Sequence, residues 1–417
     1  MGEGKILVVG GGISGVTAAV EAAEMEYDVI LIEKEPFLGG RVNQLRYYFP
    51  KLCPPACGLE INYRRIKENP RIKFYTMATV KNIEGGPGNY KVTVEIAPRY
   101  VNENCTCCGE CEKVCQGERE DTFNFGLRKT KAIYLTHEHA FPARYVLDKS
   151  ALAEGDLERI KEACKYNAID SDMQPQTITL EVGAIIWATG WKPYDATKLD
   201  NLKYGQPGFE NVITNMQMER LAAPNGPTGG KILRPSDQTV PQTIAFVQCA
   251  GSRDENHLPY CSYICCLASL KHSIYFAEQN PEGKAYIFYI DIRTPGRYEK
   301  FLNRAKEEAN IEFIKGKVAD IQQADNGDLI VIAEDTLSGK KVQQRVNMVV
   351  LATGMQPSLA GEEIPQILDV DENGFVIPSE AKGMYACGCA RIPLDVMSSN
   401  ETATAAALKA IQTLVRG

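Results

Sequence analysis

The chain has 417 residues, enough for two or three domains with ample cores, and its 44% hydrophobic and 24% charged content describes an ordinary globular protein. A net charge of −7 argues against nucleic acid or an anionic membrane as a direct partner. Its apolar runs fall short of the ~18 to 20 residues that span a bilayer, and the N-terminus lacks signal-peptide form, so a cytoplasmic chain with no direct membrane span is expected. In that reducing compartment, fourteen cysteines point to metal or redox chemistry rather than structural disulfides.

Lys5 to Val9 is a strand-length apolar run that passes into Gly10-Gly11-Gly12-Ile13-Ser14-Gly15, matching G-x-G-x-x-G. An Ala-rich helical pattern, Val16 to Met25, and a second apolar run, Asp28 to Ile32, complete a βαβ unit ending at Glu33. Gly10 permits the tight turn, Gly12 lets a pyrophosphate approach the backbone, and Gly15 allows close helix packing. The free N–H groups at the helix start, around Ile13 and Ser14, hold the anion. Glu33, eighteen residues after Gly15 and followed by Lys34, is placed for a ribose hydroxyl.

Gly39-Gly40-Arg41 comes next, and two later apolar runs end in Ala-Thr-Gly, at Gly190 and at Gly354. A third apolar-to-glycine crossing runs from Met384 to Gly388. Together these marks resemble the two-dinucleotide-binding-domain flavoproteins of the thioredoxin reductase type. The resemblance implies an α/β fold in which Ala-Thr-Gly turns mark returns to an FAD domain, with FAD at the first fingerprint. It places Gly40, Arg41, Val80, Ala188, Thr189 and Gly190 around that cofactor, with Gly388 and Cys389 where the superfamily has Gly-Asp toward the ribityl chain. The closing helix, Ala403 to Val415, is preceded by Ser398 to Thr402, cap residues whose N–H groups would face the flavin.

Between these marks lie cysteines. Cys53-Pro54-Pro55-Ala56-Cys57 reads as a redox disulfide near the flavin, as thiols presented to a neighbouring cluster, or as a stiff loop. Strands are expected at Ile72 to Tyr75 and Lys91 to Ile96. Cys105-x2-Cys108-x2-Cys111-x3-Cys115 has the ferredoxin spacing for a [4Fe–4S] cluster, with Gln116 where proline is usual. In a two-cluster ferredoxin the fourth cysteine of such a run serves the other cluster. Cys164 stands in a context resembling a second, decayed ferredoxin repeat, so Cys105, Cys108, Cys111 and Cys164 are assigned to one cluster, with Cys115 the competing fourth ligand. Cys107 is a bystander, and His137 and His139 read as a surface loop without a site role.

Thr243 to Val247 is a strand placed where a second nucleotide domain would begin, yet no glycine fingerprint follows. Cys249, Cys261, Cys265 and Cys266 take its place, and without glycines the turn cannot admit a nicotinamide dinucleotide's pyrophosphate. Four such thiols could form two disulfides, a zinc site or a cluster, although the Cys-x2-Cys pairs usual for zinc are absent and adjacent Cys265-Cys266 is odd for all three. With Gly251-Ser252-Arg253-Asp254 between them, these cysteines resemble those of the heterodisulfide reductase A-subunit family, and the likeness also covers Gly39-Gly40-Arg41, Gln44-Leu45, Phe49-Pro50 and the ferredoxin insertion. That resemblance implies a [4Fe–4S] cluster held by Cys249, Cys261, Cys265 and Cys266 near FAD, with the second cluster in the insertion.

The expected divisions are an FAD-binding part at 1–98, a degenerate ferredoxin-like insertion at 99–172, more FAD domain and a linker at 173–235, a second Rossmann-like domain at 236–345, and the last FAD part at 346–417. With one cluster motif decayed and the chain stopping at Gly417, the form resembles the A-subunits of quinone-interacting membrane-bound oxidoreductase complexes of sulfate reducers. This implies electron relay between the menaquinone pool and adenylylsulfate reductase. The implied partners are a related flavin and iron–sulfur subunit and a haem-bearing membrane subunit, which would attach the chain peripherally to the cytoplasmic membrane. The competing readings are a soluble, bifurcating heterodisulfide reductase-type subunit, a pyridine-nucleotide disulfide reductase using Cys53 and Cys57, and a structural subunit that has lost its cofactors.

Overall fold

Ile6–Val9 is buried at all four positions, as a parallel strand covered on both faces must be. In the computed structural model, which describes residues 4–416, it lies at the centre of a five-stranded parallel sheet. The order is Met384–Ala386, Ala184–Trp187, Ile6–Val9, Val29–Ile32, Ile72–Tyr75. Helices Ile13–Glu24 and Val396–Arg416 cover one face, where Ala18, Ala22, Ala403, Ala407 and Ala410 let the backbones approach closely. An antiparallel sheet of Ala78–Gly86, Asn89–Ile96 and Gln176–Val182 covers the other, through a cluster that includes Leu7, Val92, Leu180 and Ile185. The closing helix starts at Val396, not near Ala403, so Ser398 to Thr402 form its first turns and Asp395 serves as the cap, accepting from Ser398 N at 2.8 Å.

A second five-stranded parallel sheet runs Val212–Thr214, Met348–Thr353, Thr243–Ala250, Lys284–Tyr289, Ile311–Lys315. This corrects the expectation that Met348 to Gly354 returns to the FAD domain. Met348–Thr353 is hydrogen-bonded along both edges, Val349 opposite Val212 on one side and Ala245 on the other. Met348 and Val350 point into one apolar layer and Val349 and Leu351 into the other, so the strand needs a sheet neighbour on each side and cover on each face. The 346 boundary therefore falls after Thr353, and Val212–Thr214 with helix Asn215–Ala222 belongs to the second domain rather than to a linker. The chain crosses between the domains in a two-stranded ribbon, Trp191–Pro193 against Met355–Pro357.

Residues 99–172 form a separate layer with its own core of Cys111, Cys115, Ile133, Tyr145, Ile160 and Ala168. Two short helices, Glu110–Val114 and Asp156–Ala163, pack there beside two small hairpins. Asp156 is fully buried and accepts from the N–H groups of Gln116, Gly117 and Ala153 while pairing with Arg159. With donors on both oxygens the carboxylate stays ionised in the interior.

The segment after Arg41 ties the domains together. Phe49 packs on Tyr298 and Phe301 of the second domain, with ring centroids 5.6 and 6.4 Å apart. Glu219, almost wholly buried, accepts from Lys271 Nζ and His272 Nε2, each at 2.6 Å, and from the backbone N–H of Arg46 at 2.9 Å. Lys271 also donates to Tyr47 O at 2.8 Å, and Tyr298 OH to the Asp395 carboxylate at 2.7 Å.

Candidate functional site

A cavity of about 400 Å³ opens beyond the C-terminal ends of Ile6–Val9 and Ala184–Trp187, the position where open α/β sheets take ligands. Of the residues singled out in the sequence, Gly12, Ile13, Ser14, Glu33, Lys34, Gly40, Arg41, Ala188, Thr189, Gly190 and Cys389 line it. A Cβ added at Gly12 would meet nothing closer than Gly40 Cα at 4.0 Å, so the helix start is open to a ligand. At Gly15 a Cβ would sit 1.8 Å from Gly10 O, which makes that glycine a packing requirement rather than a contact. Gly10 and Gly388 likewise shape the wall from behind, a Cβ at Gly388 coming within 2.2 Å of Ser14 Oγ. Val80 does not line the cavity; it packs on the apolar layer beneath, because Ala78–Gly86 belongs to the covering antiparallel sheet.

Glu33 is buried at the strand end, its two oxygens accepting from the N–H groups of Gly11 at 2.7 Å and Glu35 at 2.8 Å. Burial outweighs those bonds and raises its carboxyl to about 7. Thr189 Oγ1 is buried in the opposite wall without a hydrogen-bond partner. Arg41, whose guanidinium burial lowers to about 10, donates to Trp191 O and lies 5.3 Å from the Trp191 ring. Asp395, Val396 and Ser399 bring the start of the closing helix to the cavity, and the Cys389 thiol donates to Leu394 O at 3.4 Å. An open helix start, an acidic strand end and an orphan hydroxyl fit a dinucleotide.

The insertion contributes residues that sequence reasoning passed over. Thr122, Phe123, Phe125 and Thr136 line the cavity. His137, expected on a surface loop, is buried against Phe123 and Phe37, with both centroid distances 4.9 Å. Burial holds it neutral by lowering its basicity to about 3. Trp191 is a missed wall residue with a signal in the sequence, as it directly follows Ala188-Thr189-Gly190, and Gly39 and Gln44, beside Arg41 in the chain, are two more.

Cys105, Cys108, Cys111 and Cys164 line one small pocket in the insertion together with Tyr145 and Tyr166. Cys115 is absent from it: its thiol is buried and points to Gly117 O and Asp156, each at 3.6 Å, so the structure separates it from the other four. Burial raises Cys111 to about 12, with Cys105 adding to the effect. Cys107, in a left-handed backbone conformation at φ 56°, faces elsewhere than this pocket.

In the second domain Cys249 sits at the end of Thr243–Ala250, also left-handed at φ 57°, and Cys265 and Cys266 open the helix Cys265–Gln279. Cys261 lies between them, and all four thiols interact electrostatically. Burial pushes Cys265 well up and Cys266 to about 11, and the neighbouring thiols push in the same direction. Such a group does not ionise unaided; a bound cationic centre is what would let these sulfurs act as thiolates. Backbone N–H groups already aim at them: Tyr263 N at Cys261 Sγ and Arg293 N at Cys266 Sγ, both at 3.4 Å. Among the described residues no group of three or more His, Cys, Asp or Glu converges on a single ion. What the structure shows of the two sets is that Cys105, Cys108, Cys111 and Cys164 share one pocket and that Cys249, Cys261, Cys265 and Cys266 lie close enough to interact electrostatically.

Cys53 and Cys57 are free and exposed, and neither lines the cavity. Cys57 lies in the first turn of the helix Pro55–Glu68.

A dinucleotide-type cavity in one α/β domain and a cysteine set at the corresponding strand end of a second define the class: a two-dinucleotide-domain oxidoreductase. Residues 5–51 match the family described as FAD dependent oxidoreductase, which supports FAD as the cofactor. In fold the chain is similar to the thioredoxin reductase of T. acidophilum, with a TM-score of 0.53 at 12% identity over 98% of each chain. It is 39% identical to the second iron-sulfur A-subunit of the CoB--CoM heterodisulfide reductase of Methanopyrus kandleri, over 99% of this chain and 65% of that one. The A-subunit of the H(2):CoB-CoM heterodisulfide,ferredoxin reductase of Methanothermobacter marburgensis is 36% identical over 100% of this chain and 64% of its own length. Over nearly its whole length the chain is similar to heterodisulfide reductase A-subunits, and it spans just under two thirds of these relatives' length.

Proposed function

We propose that the chain is an electron-transfer subunit that binds FAD in the 400 Å³ cavity and [4Fe–4S] clusters at its two cysteine sets. The observation that carries this reading is the replacement of a second glycine cradle by Cys249, Cys261, Cys265 and Cys266 at the end of Thr243–Ala250. Gly12, Ile13 and Ser14 would hold the pyrophosphate, Glu33 a ribose, and Arg41, Thr189 and the start of the closing helix the remainder of FAD. Cys105, Cys108, Cys111 and Cys164 would hold the second cluster. FAD exchanges electrons singly or in pairs and a cubane one at a time, so the pair of cofactors converts between the two regimes. The protein's own part is to exclude water, fix the distances and supply ligands; its cysteines serve as ligands, not nucleophiles. A disulfide reductase using Cys53 and Cys57 has less support, since both thiols stand outside the cavity.

Two settings suit such a relay. In the first, the chain passes electrons between menaquinone and adenylylsulfate reductase, beside a related flavin and iron–sulfur subunit and a haem-bearing membrane subunit. The lone Cys164 of a decayed repeat supports it. No helix among the described residues is long and apolar enough to cross a membrane, so attachment to the cytoplasmic membrane is assigned to a partner. The second is a soluble heterodisulfide reductase-type complex, supported by the names of the relatives.

The test is iron, sulfide and flavin on anaerobically prepared protein and on Cys265→Ser. About eight irons per flavin, falling by about four in the variant, is the expected result. Flavin without iron, after reconstitution that loads a control ferredoxin, would refute the relay. Purification from the native cell then separates the settings: co-purification with a haem-bearing membrane subunit supports the first, and a haem-free soluble complex that reduces a heterodisulfide supports the second.

A further inference from the structure

Gln248 precedes Cys249 on the strand Thr243–Ala250 and is almost fully buried, at 4% exposure. Its Oε1 accepts from the Cys266 thiol at 3.2 Å, while its Nε2 is buried with no hydrogen-bond partner. An amide N–H stranded in the interior is costly, so a native structure retains one where another state uses it.

The arrangement suits Cys266 only while its sulfur carries a proton. As a thiolate, Cys266 has nothing to donate, and a carbonyl oxygen 3.2 Å away would repel it. Turning the Gln248 amide about its last side-chain torsion exchanges oxygen for nitrogen at the same place. The orphan donor then meets the sulfur, and which end of an amide faces a partner follows from the partner's hydrogens.

The geometry points to Gln248 as the side-chain donor to the Cys266 thiolate, setting the reduction potential of the cluster that Cys249, Cys261, Cys265 and Cys266 hold. The inference rests on the cluster reading of those four cysteines. The other donor to this sulfur, Arg293 N–H at 3.4 Å, is backbone and survives any side-chain change. Arg253 and Arg293 reach Cys249 and Cys261 with their side chains, so Gln248 is the position at which a side-chain substitution alters the hydrogen bonding of Cys266 itself while the ligands stay in place. Donors to cluster sulfur favour the reduced, more negative state, and removing one lowers the potential.

The experiment is a redox titration followed by electron paramagnetic resonance on the loaded full chain, comparing wild type with Gln248→Leu and Gln248→Met. Both variants keep the bulk and remove the donor. The expected result is unchanged iron content and a roughly tenfold shift of one cluster's reduction equilibrium toward the oxidised form, about 59 mV for one electron, with the other cluster unmoved. An unchanged potential with full iron would overturn the proposal. So would iron loss in both variants, since the amide would then build the site rather than tune it. Wild-type protein whose iron is indifferent to Cys265→Ser would instead refute the cluster reading itself.

Discussion

Glu219→Gln probes a buried contact that ties the two domains together. The carboxylate receives donors only: Lys271, His272, the Arg46 N–H, and more weakly Tyr275 OH at 3.5 Å. Glutamine has the same shape, but its amide turns an NH2 group toward a donor and leaves Lys271, 3% exposed at the side chain, without its counter-charge. Breaking a buried pair in this way costs about 3 to 5 kcal/mol, a large share of the 5 to 15 typical of whole domains. Urea unfolding should show that loss, and amide exchange should rise at Arg46 and Tyr47 while Ile6–Val9 and Thr243–Ala250 stay protected. Arg65→Ala, which breaks an exposed pair with Glu24, is the control and should cost under about 1 kcal/mol. Burial pushes the Glu219 carboxyl up, but Lys271 and His272 overcome it and hold it at about 2, below the ordinary 4.5. Its contribution is thus full above pH 4.5 and is lost as pH falls toward 2, and the glutamine variant should lack that dependence. A loss under about 1 kcal/mol for Glu219→Gln would refute the reasoning.

Glu33 titrates the other way. Because burial lifts it to about 7 and a ribose hydroxyl needs the ionised form, FAD affinity should fall up to tenfold per unit as pH drops below 7, and Glu33→Gln should bind weakly with no such slope. Fluorescence titration between pH 5.5 and 8 checks it. Gly12→Val should fold but retain no flavin, whereas Gly15→Ala, with its methyl driven into Gly10 O, should lose about 4 kcal/mol or more and fail to accumulate. Iron analysis of Cys164→Ser should show a loss of about four irons, and Cys115→Ser should keep them all.

The fingerprint from Gly10 to Glu33 could be read in the sequence because each demand there is local: an open helix start, a packed glycine, an acidic strand end. The insertion's cysteine spacing is equally local, and the structure gathers Cys105, Cys108, Cys111 and Cys164 while turning Cys115 inward. Strand partnership is not local. Ala188-Thr189-Gly190 and Ala352-Thr353-Gly354 are the same three residues, yet they end strands of different sheets, and only the hydrogen-bonded edges of Met348–Thr353 separate them. His137 reads as a polar loop residue until Phe37 and Phe123, far apart in the chain, close over it. Glu219 sits in a short helix whose wholly buried environment comes from Arg46, Lys271 and His272. Ser398 to Thr402 look like a cap because their polarity, which serves the cavity side of a helix already begun, is what caps also use.

The tie between Phe49, Glu219 and the helix Cys265–Gln279 bears on speed as well as stability. Electrons tunnel between cofactors at rates that fall exponentially with the gap, so a domain free to swing would spend most of its time too far away to conduct. Here the helix that presents Cys265 and Cys266 is bolted, six residues further on at Lys271 and His272, to the backbone that follows Gly40 and Arg41. Under the proposed relay, this packing would hold the second domain at one spacing from the cavity, as a fixed conductor rather than a hinged shuttle.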